Sequence, residues 1–131
     1  MSSLVRHITF DAHNAYEIAT FWAKVVDGHV HPDDKPEDDS VLVVTKDGAD
    51  LLFEQNPDDK TVKNRVHFDL QPTERTRDDE VAWLQTIGAT IYNDHRRPDG
   101  TGWVTMHDPE GNEFCVERGP ADRRTEANQD E

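Results

Sequence analysis

Gly48-Ala-Asp-Leu-Leu-Phe-Glu54 and Gly111-Asn-Glu-Phe-Cys-Val-Glu117 read against each other position by position. Asp50 stands against Glu113, Leu51 against Phe114, Leu52 against Cys115, Phe53 against Val116 and Glu54 against Glu117. Each stretch follows a turn signal, Asp47-Gly48 in the first case and Glu110-Gly111 in the second, so each reads as a strand leaving a tight turn. Upstream the correspondence continues. The interval from His7 to Gly28 equals that from His67 to Gly88, and each holds a strand, then a helix carrying a tryptophan (Trp22, Trp83), then the glycine. The same element order recurring after roughly 60 residues points to an internal duplication.

Working outward, Leu4 to Asp11 alternates, with Ile8 and Phe10 on one face and His7, Thr9 and Asp11 on the other. Asn14 and Glu17 have capping-box spacing, Ile18, Phe21, Trp22 and Val25 form one helical stripe, and Gly28 is placed to end the helix. Short strands follow at 29–31, 41–45 and 50–55, with a polar, acidic loop at 32–40. The second copy repeats this order. Arg65 to Gln71 alternates, with Val66, Phe68 and Leu70 on one face and His67 and Asp69 on the other. A helix from about Thr76 carries Val81, Leu84 and Ile87 and ends at Gly88. Strands are expected at 90–94, 102–107 and 113–117, with a further turn at Asp99-Gly100.

The fold class that follows is α+β: two βαβββ modules, about 4–55 and 65–117, whose curved mixed sheets surround a cavity with the helices outside. Residues 1–118 form one domain in this reading, and 119–131, lacking an apolar anchor, form a flexible acidic tail. If helices cover one face of each sheet, the other face carries His7, Thr9, Asp11, Glu54, His67, Asp69, Thr105, His107 and Glu117. A concave polar surface of that kind is where a ligand is expected.

Composition narrows the partners. The chain has 131 residues, 34% hydrophobic and 32% charged, with 28 acidic against 14 basic side chains and a net charge of −14. That charge repels phosphate backbones and anionic lipid, which excludes nucleic acid and membrane partners. Most of the three tryptophans and five phenylalanines should be buried. The single cysteine, Cys115, rules out an internal disulfide and fits a reducing, cytoplasmic compartment. No apolar run approaches the length of a membrane span.

The residues resemble the vicinal oxygen chelate superfamily of glyoxalases, bleomycin- and fosfomycin-resistance proteins and extradiol dioxygenases, and within it the small glyoxalase-like proteins. The resemblance rests on Arg6-His-Ile-Thr-Phe-Asp11, Phe21-Trp-Ala-Lys-Val-Val26, Lys63-Asn-Arg-Val-His-Phe-Asp-Leu70, Leu84-Gln-Thr-Ile-Gly-Ala89 and the stretch from Gly102 to Glu117. The turn Asp108-Pro-Glu-Gly-Asn112 is its most specific part. Metal enzymes of this superfamily take ligands from the first and last strands of each module. The resemblance carries those positions to His7 and His67, Leu52 and Cys115. Leucine cannot ligate, and Cys115 stands where a glutamate is usual.

Three readings of the histidines stay open: a metal on His7, His67 and Cys115, or with Glu113 or Glu117 shifting in; a metal-free site in which His7 and His67 hydrogen-bond a ligand or act as acid and base; and purely structural histidines. With two of four ligand positions lost, no tightly bound metal or other cofactor is expected, though a divalent metal is possible. Thr9, Leu52, Glu54, Asp69, Tyr92, Trp103, Thr105, Cys115 and Glu117 are the candidate ligand-binding residues, although Tyr92 and Trp103 can equally be packing residues. His29 and His31 share a strand face and read as a solvated edge, and Asp33, Asp34, Asp38 and Asp39 as a solvated loop. The resemblance implies a small-molecule-binding protein, or an enzyme of lyase, isomerase or dioxygenase type, acting on a small oxygenated metabolite. The alternative is a metal-free protein that sequesters an antibiotic or toxin. A homodimer is compatible with either.

Overall fold

The computed structural model describes Met1–Gln129. The chain divides into two compact units, one spanning Met1–Lys60 and the other starting at Thr61. Module one contains β1 (His7–Ala12), α1 (Ala15–Val25), β2 (His29–Val30), β3 (Ser40–Val44) and β4 (Asp50–Gln55). Module two contains β5 (Asp69–Leu70), α2 (Arg77–Thr86), β6 (Thr90–Asp94), β7 (Val104–His107), β8 (Glu113–Val116) and α3 (Pro120–Gln129). The sheet orders are β1-β4-β3-β2 and β5-β8-β7-β6, the same topology twice. In each, the first and last strands pair in parallel and the remaining neighbours are antiparallel. The architecture is α+β with paired βαβββ modules, as the repeat implies.

In module one α1 starts where Asn14 Oδ1 accepts the Glu17 N–H at 3.1 Å, satisfying a donor the first turn leaves without a partner. Its apolar stripe buries Ala15, Ile18, Ala19 and Trp22 against the sheet, where Val41, Val43 and Phe53 are also fully buried. Phe10 packs edge-on to Phe53 and Trp22, with ring centroids 5.2 and 6.3 Å apart. The helix ends at Val25, and its left-handed stop comes one residue before the expected glycine. Asp27, at φ 52°, takes the left-handed conformation, while the Gly28 N–H closes the turn on Ala23 O at 2.9 Å. Gly28 is required for a different reason: a Cβ there would lie 2.4 Å from Val44 O. In module two the left-handed position is Gly88 itself, at φ 120°. The two glycines match in sequence but do different work. The acidic loop is ordered by its own carboxylates: Asp34 Oδ2 accepts from Leu42 N at 2.8 Å and Asp38 Oδ2 from Lys35 N at 2.9 Å.

In module two Thr76 Oγ1 caps α2 by accepting from Asp79 N at 3.2 Å, and Val81 and Leu84 are buried beside Val104, Met106, Phe114 and Val116. The first strand is shorter than the alternation from Arg65 to Gln71 suggests. Val66, expected on the buried face, is 74% exposed. Upstream of Phe68 the chain is tied down by side chains: Asn64 N donates to Glu113 Oε2, and Asn64 Nδ2 to Asn112 Oδ1, each at 3.0 Å. Aromatic burial is also less complete than composition suggests. Trp22, Phe21, Phe53 and Phe114 are buried, but Trp103 is 36% exposed and Trp83 is half-buried beneath the Arg75 guanidinium, 4.5 Å from the ring centre. Residues 120–129 of the expected tail are helical. Asp122 anchors the start of α3 by accepting from Gly119 N and from Arg77 N, both at 2.9 Å. Asp130 and Glu131 lie outside the described residues.

A buried cation holds the β6–β7 hairpin. The Arg77 side chain is 5% exposed, and its Nη1 donates to the carbonyls of Gly100, Thr101 and Gly102 at 3.2, 3.1 and 2.9 Å. Nearby, Arg96 grips Asp94 through two nitrogens, and that grip holds the Asp94 carboxyl down to about 2. Replacing Arg77 by Met keeps the stem and removes the donors. The expected loss is about 2–3 kcal/mol of unfolding free energy, measured by urea denaturation. A loss below about 0.5 kcal/mol, the range of an ordinary surface change, would show that the hairpin does not depend on this side chain.

Candidate functional site

Register decides which side chains of module two meet. Parallel pairing sets Asp69 against Cys115 and Leu70 against Val116, with Cys115 N bonded to Phe68 O and Glu117 N to Leu70 O, both at 2.8 Å. Antiparallel pairing sets Thr105 against Cys115 and His107 against Glu113. Phe114, Val116, Val104 and Met106 are in the core. Strand alternation therefore turns Glu113, Cys115, Glu117, Thr105 and His107 to the opposite face, with Asp69 and His67 beside them.

Along the middle of this face the donors converge. His67 Nδ1 lies 3.5 Å from Asp69 Oδ1. One ligand atom each from His67, Asp69 and Cys115 falls within 4.8 Å of the others. The Thr105 hydroxyl is 3.4 Å from Cys115 Sγ. Burial pushes the Cys115 thiol up; the Thr105 hydroxyl opposes that shift and the Asp69 and Glu117 carboxylates add to it. The thiol is thus the protonated form at neutral pH, and a weak nucleophile until something draws the proton away.

A second pair flanks the first. Glu113 is 6% exposed, with Oε1 3.6 Å from His107 Nε2 and Oε2 on Asn64 N. It is committed to holding the turn, and neither it nor Glu117 belongs to the donor group. The turn is organised by Asp108, whose Oδ1 accepts from Glu110 N and Asn112 N, and whose Oδ2 accepts from Asn112 Nδ2, all at 2.9 Å. Tyr92 stacks on His107 at 4.4 Å. It is the extra residue of a bulge between Ile91 and Asn93, and a bulge re-aims its side chain. Trp103 stacks on His95 at 4.6 Å, with Arg97 5.8 Å from its ring. Both aromatics keep an exposed side, Tyr92 at 54%.

The remaining candidates belong to module one. His7 pairs with Asp50, Thr9 with Leu52, and Leu52 with Leu42. Thr9 and Glu54 are exposed, while His7 and Leu52 are half-buried. Among the described residues no grouping of three metal-ligating atoms forms in this module. His31 Nδ1 accepts from Asp33 N at 3.2 Å and acts within its own loop.

Of the sequence candidates, the structure brings His67, Asp69, Thr105 and Cys115 together. Two features escape a reading by motif. The Asp69 carboxylate lies within reach of the His67 and Cys115 ligand atoms, and His107 lies beside Glu113. The signal for the first was present in the alternation, because residues two apart on one strand share a face.

The donor set also tests which metal the site suits. One imidazole, one carboxylate and one thiol fit an ion that accepts nitrogen, oxygen and sulfur together, the sulfur entering at Cys115, where the resemblance places a glutamate in the metal enzymes.

A sequence profile described as a glyoxalase-like domain matches residues 7–117. No curated protein sequence matches the chain. Among solved structures, Oxidase ChaP-H2 is 23% identical over 92% of this chain and 96% of its own, with a TM-score of 0.64. A glyoxalase/bleomycin resistance protein/dioxygenase family enzyme from Burkholderia phytofirmans is 15% identical over 87% of this chain and 97% of its own, with a TM-score of 0.66. A mutant fosfomycin resistance protein, FosX, from Listeria monocytogenes, complexed with Mn(II) and 1S,2S-dihydroxypropylphosphonic acid, is 13% identical over 98% of both chains, with a TM-score of 0.66. At these identities the likeness is one of fold.

The chemistry of Cys115 is directly measurable. In chelator-containing buffer its alkylation by iodoacetamide should rise with pH through a midpoint above that of a free thiol, because the raised pKa withholds thiolate until higher pH. Thr105→Val, which removes the opposing hydrogen bond, should move the midpoint higher still. A midpoint at or below that of a free thiol would contradict the burial argument.

Proposed function

The chain belongs to the glyoxalase-like domain family, and on that premise we propose that the polar face of module two binds a small oxygenated metabolite and exchanges protons with it. The supporting observation is the convergence of His67, Asp69 and Cys115 within 4.8 Å, with the Thr105 hydroxyl beside the thiol. Imidazole is the side-chain type that takes up and returns a proton near neutral pH. Asp69, 3.5 Å from Nδ1, orients the His67 ring and leaves the other nitrogen to face a ligand. That arrangement suits proton abstraction beside a carbonyl, or proton delivery to a developing alkoxide. The Thr105 oxygen, whose own proton faces the Cys115 sulfur, offers an acceptor for a ligand hydroxyl. A divalent ion held on this face by His67, Asp69 and Cys115 would take over from that acid–base chemistry as a Lewis acid for paired ligand oxygens.

Charge restricts the ligand. The face carries Asp69 and Glu117, and the chain as a whole is at −14. A polyanionic ligand is disfavoured, and a neutral hydroxycarbonyl or vicinal diol fits better. The FosX ligand, a phosphonic acid, is for that reason a poor guide to the ligand of this chain.

The test is a ligand-observed NMR screen of neutral hydroxyketones, vicinal diols and 2-oxoaldehyde–thiol adducts against the wild-type protein and His67→Ala, followed by turnover assays on any binder. Binders are expected within this class, with affinity falling about tenfold in the variant, the value of one charge-assisted hydrogen bond. Binding without turnover would assign the chain to the sequestering proteins. Binding indifferent to His67 would place the ligand elsewhere.

A further inference from the structure

We infer that His67, Asp69 and the Cys115 thiolate together hold a thiophilic divalent cation of the zinc class, in preference to Mn(II) or Mg(II). The inference rests on the same face of module two as the ligand reading, but its test reads the ion alone.

The geometry comes first. A tetrahedral ion with bonds near 2.0–2.3 Å needs its ligand atoms about 3.5 Å apart. The three donor atoms lie within 4.8 Å of one another before any ion draws them in. Closing the remaining ångström or so takes only side-chain rotation. Asp69 and His67 have that freedom, with side chains 54% and 38% exposed. Cys115 is fixed in the middle of the sheet and sets where the ion sits. Three protein ligands with a fourth position open is the pattern of a zinc site accessible to solvent or ligand.

Donor chemistry then selects the ion. Mn(II) and Mg(II) favour oxygen-rich sets, whereas a thiolate with imidazole and carboxylate favours Zn(II), Cd(II) or Co(II). On binding, the S–H bond breaks, the sulfur pair is donated to the cation and the proton goes to solvent. The Thr105 hydroxyl, 3.4 Å from sulfur, stabilises the thiolate as an outer hydrogen bond of the kind metal sites use. At the equivalent register of module one stand Thr9 and Leu52, which offer no such set. The asymmetry between modules therefore lies in the side chains, with the backbone pairing held in common.

The experiment titrates untagged, full-length, reduced protein with Cd(II) and Zn(II) at pH 7.5. Cys115 is the only cysteine, so a thiolate-to-cadmium charge-transfer band in the ultraviolet reports this residue and no adventitious histidine site. The expected result is a band saturating at one equivalent and retained against a hundredfold excess of Mn(II) or Mg(II). Cys115→Ser should abolish the band and weaken Zn(II) binding at least tenfold. Asp69→Asn should keep the band with affinity about tenfold lower. As a check needing no variant, Zn(II) should protect wild-type Cys115 from iodoacetamide. Absence of the band, displacement by Mn(II), lack of protection, or wild-type affinity in Asp69→Asn would each overturn the inference. A failed ligand screen alongside a normal band would count against the ligand reading and leave the ion site standing.

Discussion

Parallel pairing between the first and last strands of a module is the constraint on which the rest depends. A parallel pair cannot be closed by a hairpin, so a long crossover must join its strands. Here that crossover contains the helix and two further strands. The pairing fixes position as well as topology. With Asp69 opposite Cys115, side chains from distant parts of the chain become neighbours. A one-residue slip would turn every polar side chain of β8 into the core and every apolar one out of it. Phe114 and Val116, both essentially fully buried, lock the register through the hydrophobic effect. The polar face is thus placed by the apolar one.

The duplicated framework does not carry duplicated chemistry. Over the two pairs that β5 and β8 form, the register repeats that of β1 on β4, yet Thr9 opposite Leu52 offers no metal-ligating atom where Asp69 opposite Cys115 offers two. The neighbouring positions Asp50 and Glu113 show a related division. Asp50 accepts from the Thr45 N–H in its own hairpin, and Glu113 fastens Asn64 and His107. Both carboxylates are used for structure. This leaves Asp69, on the first strand, as the carboxylate at the centre of the polar face.

Much of this was legible in the residues. The matched intervals predicted the element order, Asn14 and Thr76 announced the helix starts, and the alternation of β8 named its polar face. What was not legible depends on contacts between segments. The early loss of strand character around Val66 follows from Asn64 bonding to the β7–β8 turn, which no local pattern encodes. Arg77 reads as an ordinary helix residue until the hairpin carbonyls that surround it are known. The bulge that re-aims Tyr92 leaves no mark in β6, all of whose residues are exposed. Asp69 was visible as a polar-face residue, but its weight as a donor came only with the register.

The β5–β8 register is open to direct observation. Scalar couplings transmitted through hydrogen bonds in isotope-labelled protein connect an amide nitrogen to the carbonyl carbon it bonds. Couplings are expected from Cys115 N to the Phe68 carbonyl and from Glu117 N to the Leu70 carbonyl. Couplings from these amides to His67 or Asp69, or none to this strand, would rule out the pairing of Asp69 with Cys115.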